Sequence, residues 1–76
     1  MIKNNTNDLA KTIGENIKVA RKLKGLTQKQ IAQTFFMTQQ QYSRFETGKF
    51  EQNYKQLYDI CKLLDTSPNE LFDFER

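Results

Sequence analysis

Four polar side chains in the middle of the chain have the chemistry and spacing needed to hydrogen-bond to the edges of nucleic-acid bases: Gln39, Gln40, Ser43 and Arg44. Positions three and four residues apart share a helix face. Gln40 and Ser43 are three apart, and Gln39 and Ser43, like Gln40 and Arg44, are four apart, so the four are expected to project together. Glutamine pairs with adenine, and arginine with guanine, through two hydrogen bonds, and each such pair contributes about 1–3 kcal/mol of base discrimination.

Other kinds of site lack the residues that they need. The 76-residue sequence has no histidine and a single cysteine, Cys61, which excludes an internal disulfide and a structural zinc site of three or four ligands. It also has no Gly-rich phosphate loop and no convincing general base or nucleophile constellation. We expect no enzyme, metal or other cofactor, and we interpret Cys61 as inert core.

Charge is distributed unevenly along the chain. The net charge is +3, yet residues 1–49 carry nine basic and three acidic side chains whereas residues 50–76 carry three basic and six acidic ones. An anionic partner is therefore expected to bind the first two-thirds. No apolar run approaches the roughly 18 residues that cross a bilayer, and the N-terminus does not resemble a secretory signal, so we expect a cytoplasmic protein.

Helices must position these side chains, because the sequence has three Gly, one Pro and almost no alternating β-branched runs. Apolar residues at helical spacing predict a first helix from Leu9 to Lys24, followed by Gly25. The residues before Leu9, 1–8, are expected to form a flexible extension. A second helix is predicted over 28–34, capped by Thr27 with Gln30 at the third helical position.

The third predicted helix carries the base-edge chemistry. Thr38 caps it, it covers residues 39–46, and Gly48 ends it. Eight residues span about 12 Å, which matches the roughly 12 Å width of the B-DNA major groove. The dimensions therefore favour insertion of this helix into DNA.

Two further helices are predicted in the C-terminal third. Asn53 caps a helix over 54–64 with one apolar stripe. Ser67, Pro68 and Glu70 give a cap, a first-turn proline and the third residue of a capping box, which begins a short fifth helix. The fold class predicted is all-α, with five helices.

Two stretches resemble the Cro and repressor type of helix-turn-helix domain: Leu26-Thr27-Gln28-Lys29-Gln30-Ile31-Ala32 and Met37-Thr38-Gln39-Gln40-Gln41-Tyr42-Ser43-Arg44-Phe45-Glu46-Thr47-Gly48-Lys49. The resemblance extends from about Ile13 to Phe72. It implies a compact five-helix, lambda-repressor-like DNA-binding domain over 9–76, whose second motif helix enters the major groove while the first crosses the backbone.

The resemblance also implies roles for individual residues. Bases would be read by Gln39, Gln40, Ser43 and Arg44, and the DNA backbone would be contacted by Thr27, Gln28, Thr38, Thr47, Lys49 and Lys55. Gln28 matches a glutamine that grips a phosphate and braces the first residue of the recognition helix. Arg21 and Glu46 match a partly buried ion pair of the family. The alternative is an exposed pair, which would contribute only about 0–1 kcal/mol to stability.

The sequence departs from the family pattern at several positions. Phe36 stands where the turn usually holds a glycine in a left-handed conformation, so either strain or a different turn is expected. Tyr42 replaces a smaller aliphatic residue, Gln52 replaces a common proline, and Glu51 brings an acid into a loop that is basic or neutral in many relatives. Phosphate contacts from that loop are therefore not expected.

Two functions remain open on the sequence alone. The first is a transcriptional regulator that acts as a repressor and binds a palindromic operator. We expect it to bind as a homodimer, because one short helix reads too few base pairs for specificity against about 10⁶–10⁹ competing sites. The second is a protein-binding module of the same fold, such as an antitoxin or accessory protein, which the modest net charge and Glu51 favour. A regulatory protein partner is compatible with either.

Overall fold

The computed structural model describes residues 6–49 and 53–73, and these ranges contain five helices and no strand. The helices are α1 (Thr6–Lys24), α2 (Gln28–Thr34), α3 (Gln39–Glu46), α4 (Tyr54–Leu64) and α5 (Pro68–Phe72). The predicted all-α, five-helix fold is confirmed.

The first helix begins earlier than the sequence predicts. α1 starts at Thr6, inside the predicted extension, and residues 1–5 lie outside the described residues. The segment before Leu9 contains no Gly or Pro that would stop a helix. Its polar residues carry no apolar periodicity, and periodicity alone therefore placed the start too late.

Side-chain caps fix the beginning of each later helix. Complete capping boxes are formed by the pairs Thr27 and Gln30, Thr38 and Gln41, Asn53 and Gln56, and Ser67 and Glu70. In each box the cap side chain accepts a backbone N–H and the third helical residue reaches back to the cap. Since each cap is worth about 1 kcal/mol, these pairs define where four short helices start.

The core draws on every helix. One fully buried large side chain comes from each of α1 to α5: Ile17, Ile31, Tyr42, Ile60 and Leu71. α1 packs against α3, α4 and α5, while α2 packs against α3. Burying such a side chain contributes about 1.5–3 kcal/mol, so the short helices are stabilised mainly by the cluster that they share.

The turn between α2 and α3 keeps a tight geometry in spite of a bulky residue. Phe36 has φ 58°, in the left-handed region, and its side chain is 97% exposed. The Met37 N–H donates to the Ala32 carbonyl at 2.9 Å and closes the turn. Two outcomes were expected for Phe36, a strained conformation or a different turn. The structure keeps the left-handed turn, and Phe36 takes the strained conformation.

Replacing Phe36 with glycine is expected to raise the free energy of unfolding by about 0.5–1 kcal/mol. The left-handed conformation costs a non-glycine residue about 1–2 kcal/mol, whereas the extra freedom of glycine in the unfolded chain returns about 0.5–1 kcal/mol of that gain. Urea unfolding of Phe36→Gly measures the change. Phe36→Ala is the control, because it removes the ring and retains Cβ; equal stabilisation by both variants would contradict the strain argument.

Candidate nucleic-acid interface

The two faces of α3 differ in kind. Tyr42, Phe45 and Glu46 are buried, and the Tyr42 and Phe45 rings meet edge to face with centroids 6.4 Å apart. Of the four residues predicted to read bases, Gln39, Gln40 and Arg44 are exposed and Ser43 is half-buried. The structure therefore brings the four together on the outer side of a helix whose inner side is anchored in the core.

Arg21 and Glu46 form a buried ion pair between α1 and the last residue of α3. Arg21 Nε donates to Glu46 Oε2 at 2.6 Å and Nη2 donates to Oε1 at 3.2 Å. Nη1 donates to the Leu26 carbonyl at 2.8 Å. The two residues are only 7% and 5% exposed, so the pair joins α1, the loop before α2 and the end of α3 in a site with little water.

Electrostatics keep this pair charged. Burial by itself raises the pKa of Glu46, but hydrogen bonds from Arg21 and Gln28 outweigh it and the pKa lies below the ordinary 4.5. The hydrogen bond to Glu46 raises the pKa of Arg21, against the opposing effect of burial. Both groups therefore remain ionised at neutral pH.

The ion pair continues outward to the recognition face through two glutamines. Gln28 Nε2, at the start of α2, donates to Glu46 Oε1 at 2.9 Å. Gln39 Nε2, at the start of α3, donates to Gln28 Oε1 at 3.5 Å. A line of hydrogen bonds thus runs from a buried guanidinium to the first exposed side chain of α3.

Tyr42 lies against this ion pair from the core side. Within the described part of the chain its hydroxyl is buried and has no hydrogen-bond partner. Burial, followed by the neighbouring Glu46 carboxylate, raises the pKa of Tyr42, which keeps the hydroxyl protonated. The larger side chain that replaces the family's aliphatic residue is accommodated, with its ring in the core.

The residues predicted to contact the DNA backbone lie at the start of α2, at both ends of α3 and on α4. Thr27 and Thr38 use their Oγ1 atoms to cap α2 and α3, and Thr47 Oγ1 donates to the Ser43 and Arg44 carbonyls. Lys49 is exposed just beyond α3. Lys55 lies on α4, where Nζ is 2.8 Å from Asp59 Oδ2.

The pairing of Lys55 makes its ammonium less available to a phosphate than that of an unpaired lysine would be. Glu51 and Gln52, the loop residues that depart from the family pattern, lie outside the described residues.

Gly14 is a positioning residue that the sequence analysis did not identify. A Cβ at this point of α1 would lie 2.4 Å from the Phe45 carbonyl oxygen and 2.6 Å from that of Glu46. Only glycine permits this approach of α1 to the end of α3. A glycine inside a helical pattern is a signal of a close packing contact, but the sequence does not show what lies opposite it.

The described residues contain no group of three or more candidate ligands able to hold a metal ion. None of their helices has the length and apolar character needed to span a membrane. Cys61 is buried and free, and burial, with a smaller effect from Glu70, raises its pKa. A buried thiol with a raised pKa is a poor nucleophile.

Two short helices joined by a tight turn, with the second exposing a polar face, define a helix-turn-helix domain. Comparison with known families agrees: residues 17–71 match the family described as Helix-turn-helix. The match covers most of the chain, and the protein therefore belongs to the Cro/C1-type helix-turn-helix family.

A curated relative extends this comparison. The chain is 39% identical over 61 residues to the uncharacterized HTH-type transcriptional regulator YqaE of Bacillus subtilis (strain 168). The alignment covers 80% of this chain and 53% of YqaE, so the chain spans about half the length of that relative. No solved structure matches the chain significantly.

Proposed function

We propose that the protein is a sequence-specific DNA-binding transcriptional regulator that places α3 in the major groove. The observation that carries this proposal is the exposed polar face of α3, held by a buried ion pair at its end. Membership of a helix-turn-helix family that includes a transcriptional regulator supports it. The first two-thirds of the chain also hold the excess positive charge that a polyanion attracts.

In this complex the side chains divide into two groups by the part of DNA that they contact. Gln39, Gln40, Ser43 and Arg44 face the base edges. Thr27, Gln28, Thr38, Thr47, Lys49 and Lys55 lie beside the phosphates, with Lys49 the strongest candidate because it is a charged, exposed side chain at the end of α3. Phosphate contacts fix the register, whereas base contacts supply the sequence preference.

The protein acts as a homodimer on an inverted repeat in this proposal. Eight residues of α3 reach only a few base pairs, and two copies with half-sites about 34–36 Å apart double the sequence that is read. Occupying an operator in this way makes a repressor the simplest mode of action. The site of action is the cytoplasm, where the DNA of a bacterial cell lies.

A second candidate, binding of a protein partner through the same fold, is favoured by the surface between α4 and α5. A groove of about 700 Å³ is lined by Tyr54, Leu57, Tyr58 and Phe72 among others, and Tyr54 is 93% exposed. Exposed aromatic side chains are enriched in protein interfaces.

Selection of duplexes from a random library at about 0.15 M salt, near physiological ionic strength, tests the first candidate. A short inverted repeat among the bound duplexes is the expected result. If no sequence is enriched and circular dichroism shows that the protein is folded, the result would contradict sequence-specific DNA binding and favour the second candidate, binding of a protein partner.

Two variants then separate the assigned roles. Arg44→Ala is expected to relax the preference at one operator position and to cost about 1–3 kcal/mol, while Lys49→Ala weakens binding to all sequences and lowers the slope of log affinity against log salt by about one. Binding titrations at several salt concentrations, on the selected site and on a scrambled one, measure both. Indistinguishable effects of the two variants would refute the assignment.

A further inference from the structure

The hydrogen bonds behind Gln39 have a direction that one buried group determines. Glu46 is ionised and its carboxylate can only accept hydrogen bonds. Gln28 must therefore turn its amide nitrogen toward Glu46, and Nε2 does lie 2.9 Å from Glu46 Oε1. The reverse orientation would place the Gln28 carbonyl oxygen against a buried negative charge.

The orientation of Gln28 in turn selects the orientation of Gln39. With its nitrogen turned inward, Gln28 presents Oε1 to Gln39, and an oxygen can only accept. Gln39 Nε2 is the atom that faces it, at 3.5 Å. Gln39 is consequently left with its own Oε1 and one remaining N–H for a ligand.

These two free positions discriminate between the purines. Adenine presents a donor and an acceptor in the major groove, which match an outward oxygen and N–H, whereas guanine presents two acceptors. If Gln39 were reversed, its oxygen would accept from Gln28 and two outward N–H groups would match guanine instead.

We propose that Glu46 is a specificity-determining positioning residue: through Gln28 it orients the Gln39 amide for adenine rather than guanine, although it touches no DNA itself. This inference rests on the proposed function. It goes beyond the expected bracing of Gln39 by Gln28, because it concerns which end of each amide faces outward. Arg21 contributes by keeping Glu46 charged through two hydrogen bonds.

The test compares purine preferences of the full chain on the duplexes selected by the wild-type protein. Gln39→Ala first identifies the base pair that Gln39 reads, as the position where preference is lost. All four bases are then placed there, and competition binding gives the affinity ratio of adenine to guanine. For the wild type we expect about tenfold or more in favour of adenine.

Two variants interrupt the line of hydrogen bonds at different points. Glu46→Gln removes the charge, retains the shape and leaves an amide that either donates or accepts. Gln28→Leu removes the connection and leaves the ion pair in place. Both should reduce the adenine preference to less than about threefold, which corresponds to about 0.65 kcal/mol. Circular dichroism establishes folding. If Glu46→Gln does not fold, the double variant Arg21→Met with Glu46→Leu decides the question, because it removes the carboxylate and keeps Gln28.

Tyr42→Phe is the matched control, because it alters the other neighbour of Glu46 and leaves both glutamines and the carboxylate intact. Its purine preference should equal that of the wild type. If folded Glu46→Gln, or the double variant in its place, retains the wild-type ratio, the inference is wrong whatever Gln28→Leu does, and DNA binding stands. The same holds if Gln39→Ala loses no preference at any position. If the wild type selects no sequence, the proposed function fails, and the inference fails with it.

Discussion

Replacing Arg21 with methionine is expected to lower the free energy of unfolding by about 3–5 kcal/mol, because it leaves the Glu46 carboxylate buried without its countercharge. The variant also leaves the Leu26 carbonyl without the Arg21 Nη1 donor. A single core in a chain of this size rarely supplies more than about 3–5 kcal/mol in total. Urea unfolding should therefore find Arg21→Met largely unfolded at 25 °C.

The double variant Arg21→Met with Glu46→Leu is the control that separates burial from pairing. An apolar pair of similar volume often replaces a buried ion pair at no cost, so this variant should recover most of the lost stability. It should not recover base discrimination, because Gln28 then has no carboxylate to face. A loss below about 1 kcal/mol in Arg21→Met would instead indicate a pair that behaves as if it were exposed.

The ion pair also predicts how stability depends on pH. The pKa of Glu46 is lowered in the folded protein, so its contribution is complete above the unfolded pKa and is lost as the pH falls through the folded one. We expect the urea midpoint of the wild type to decrease below about pH 4, near the ordinary glutamate pKa. The double variant, which lacks Glu46, should lose less. Glu70, whose pKa is lowered by hydrogen bonds from Thr66 and Ser67, leaves a residual dependence in both.

The helix boundaries were largely predictable because their signals are local. Thr27, Thr38, Asn53 and Ser67 each cap the helix that the sequence assigned to them. A cap is decided by residues within one turn of it, so the sequence is sufficient. Before α1 the sequence has a run of possible caps, Asn4, Asn5, Thr6 and Asn7, so no single one marks the start. The apolar pattern alone misplaced this boundary by three residues.

The candidate site was predictable only in part, since its geometry depends on residues far apart in the chain. The spacing of Gln39, Gln40 and Arg44 placed them on one face, but Gln28 and Glu46 are 18 residues apart and nothing local to either indicates their contact. Similarly, the sequence identifies Phe36 as unfavourable in a left-handed turn. It does not show whether the turn changes or Phe36 adopts the strained conformation. The turn is retained because its hydrogen bonds and the packing of α2 on α3 outweigh the strain of one exposed residue.

Alanine at position 14 is expected to destabilise the protein by about 3 kcal/mol, at the upper end of the cost of overpacking. In an ordinary helix the same change stabilises by about 0.5–1 kcal/mol, so the sign is reversed here. The added Cβ would meet two backbone carbonyl oxygens at the end of α3, at 2.4 and 2.6 Å. Backbone atoms in a packed core cannot move aside as the end of a flexible side chain can, and α1 must shift as a whole.

That shift would reach the recognition face, because α1 also carries Arg21, which holds Glu46 and through it Gln28. Gly14→Ala should therefore lower both the urea midpoint and the affinity of its folded fraction for the selected duplex. Lys18→Ala, at an exposed position of the same helix, is the control for stability. Its free energy of unfolding should stay within about 0.5 kcal/mol of the wild-type value. If Gly14→Ala instead stabilised the protein, there would be room for a methyl group between α1 and the carbonyl groups at the end of α3. The ion pair would then be the main contact that positions α3.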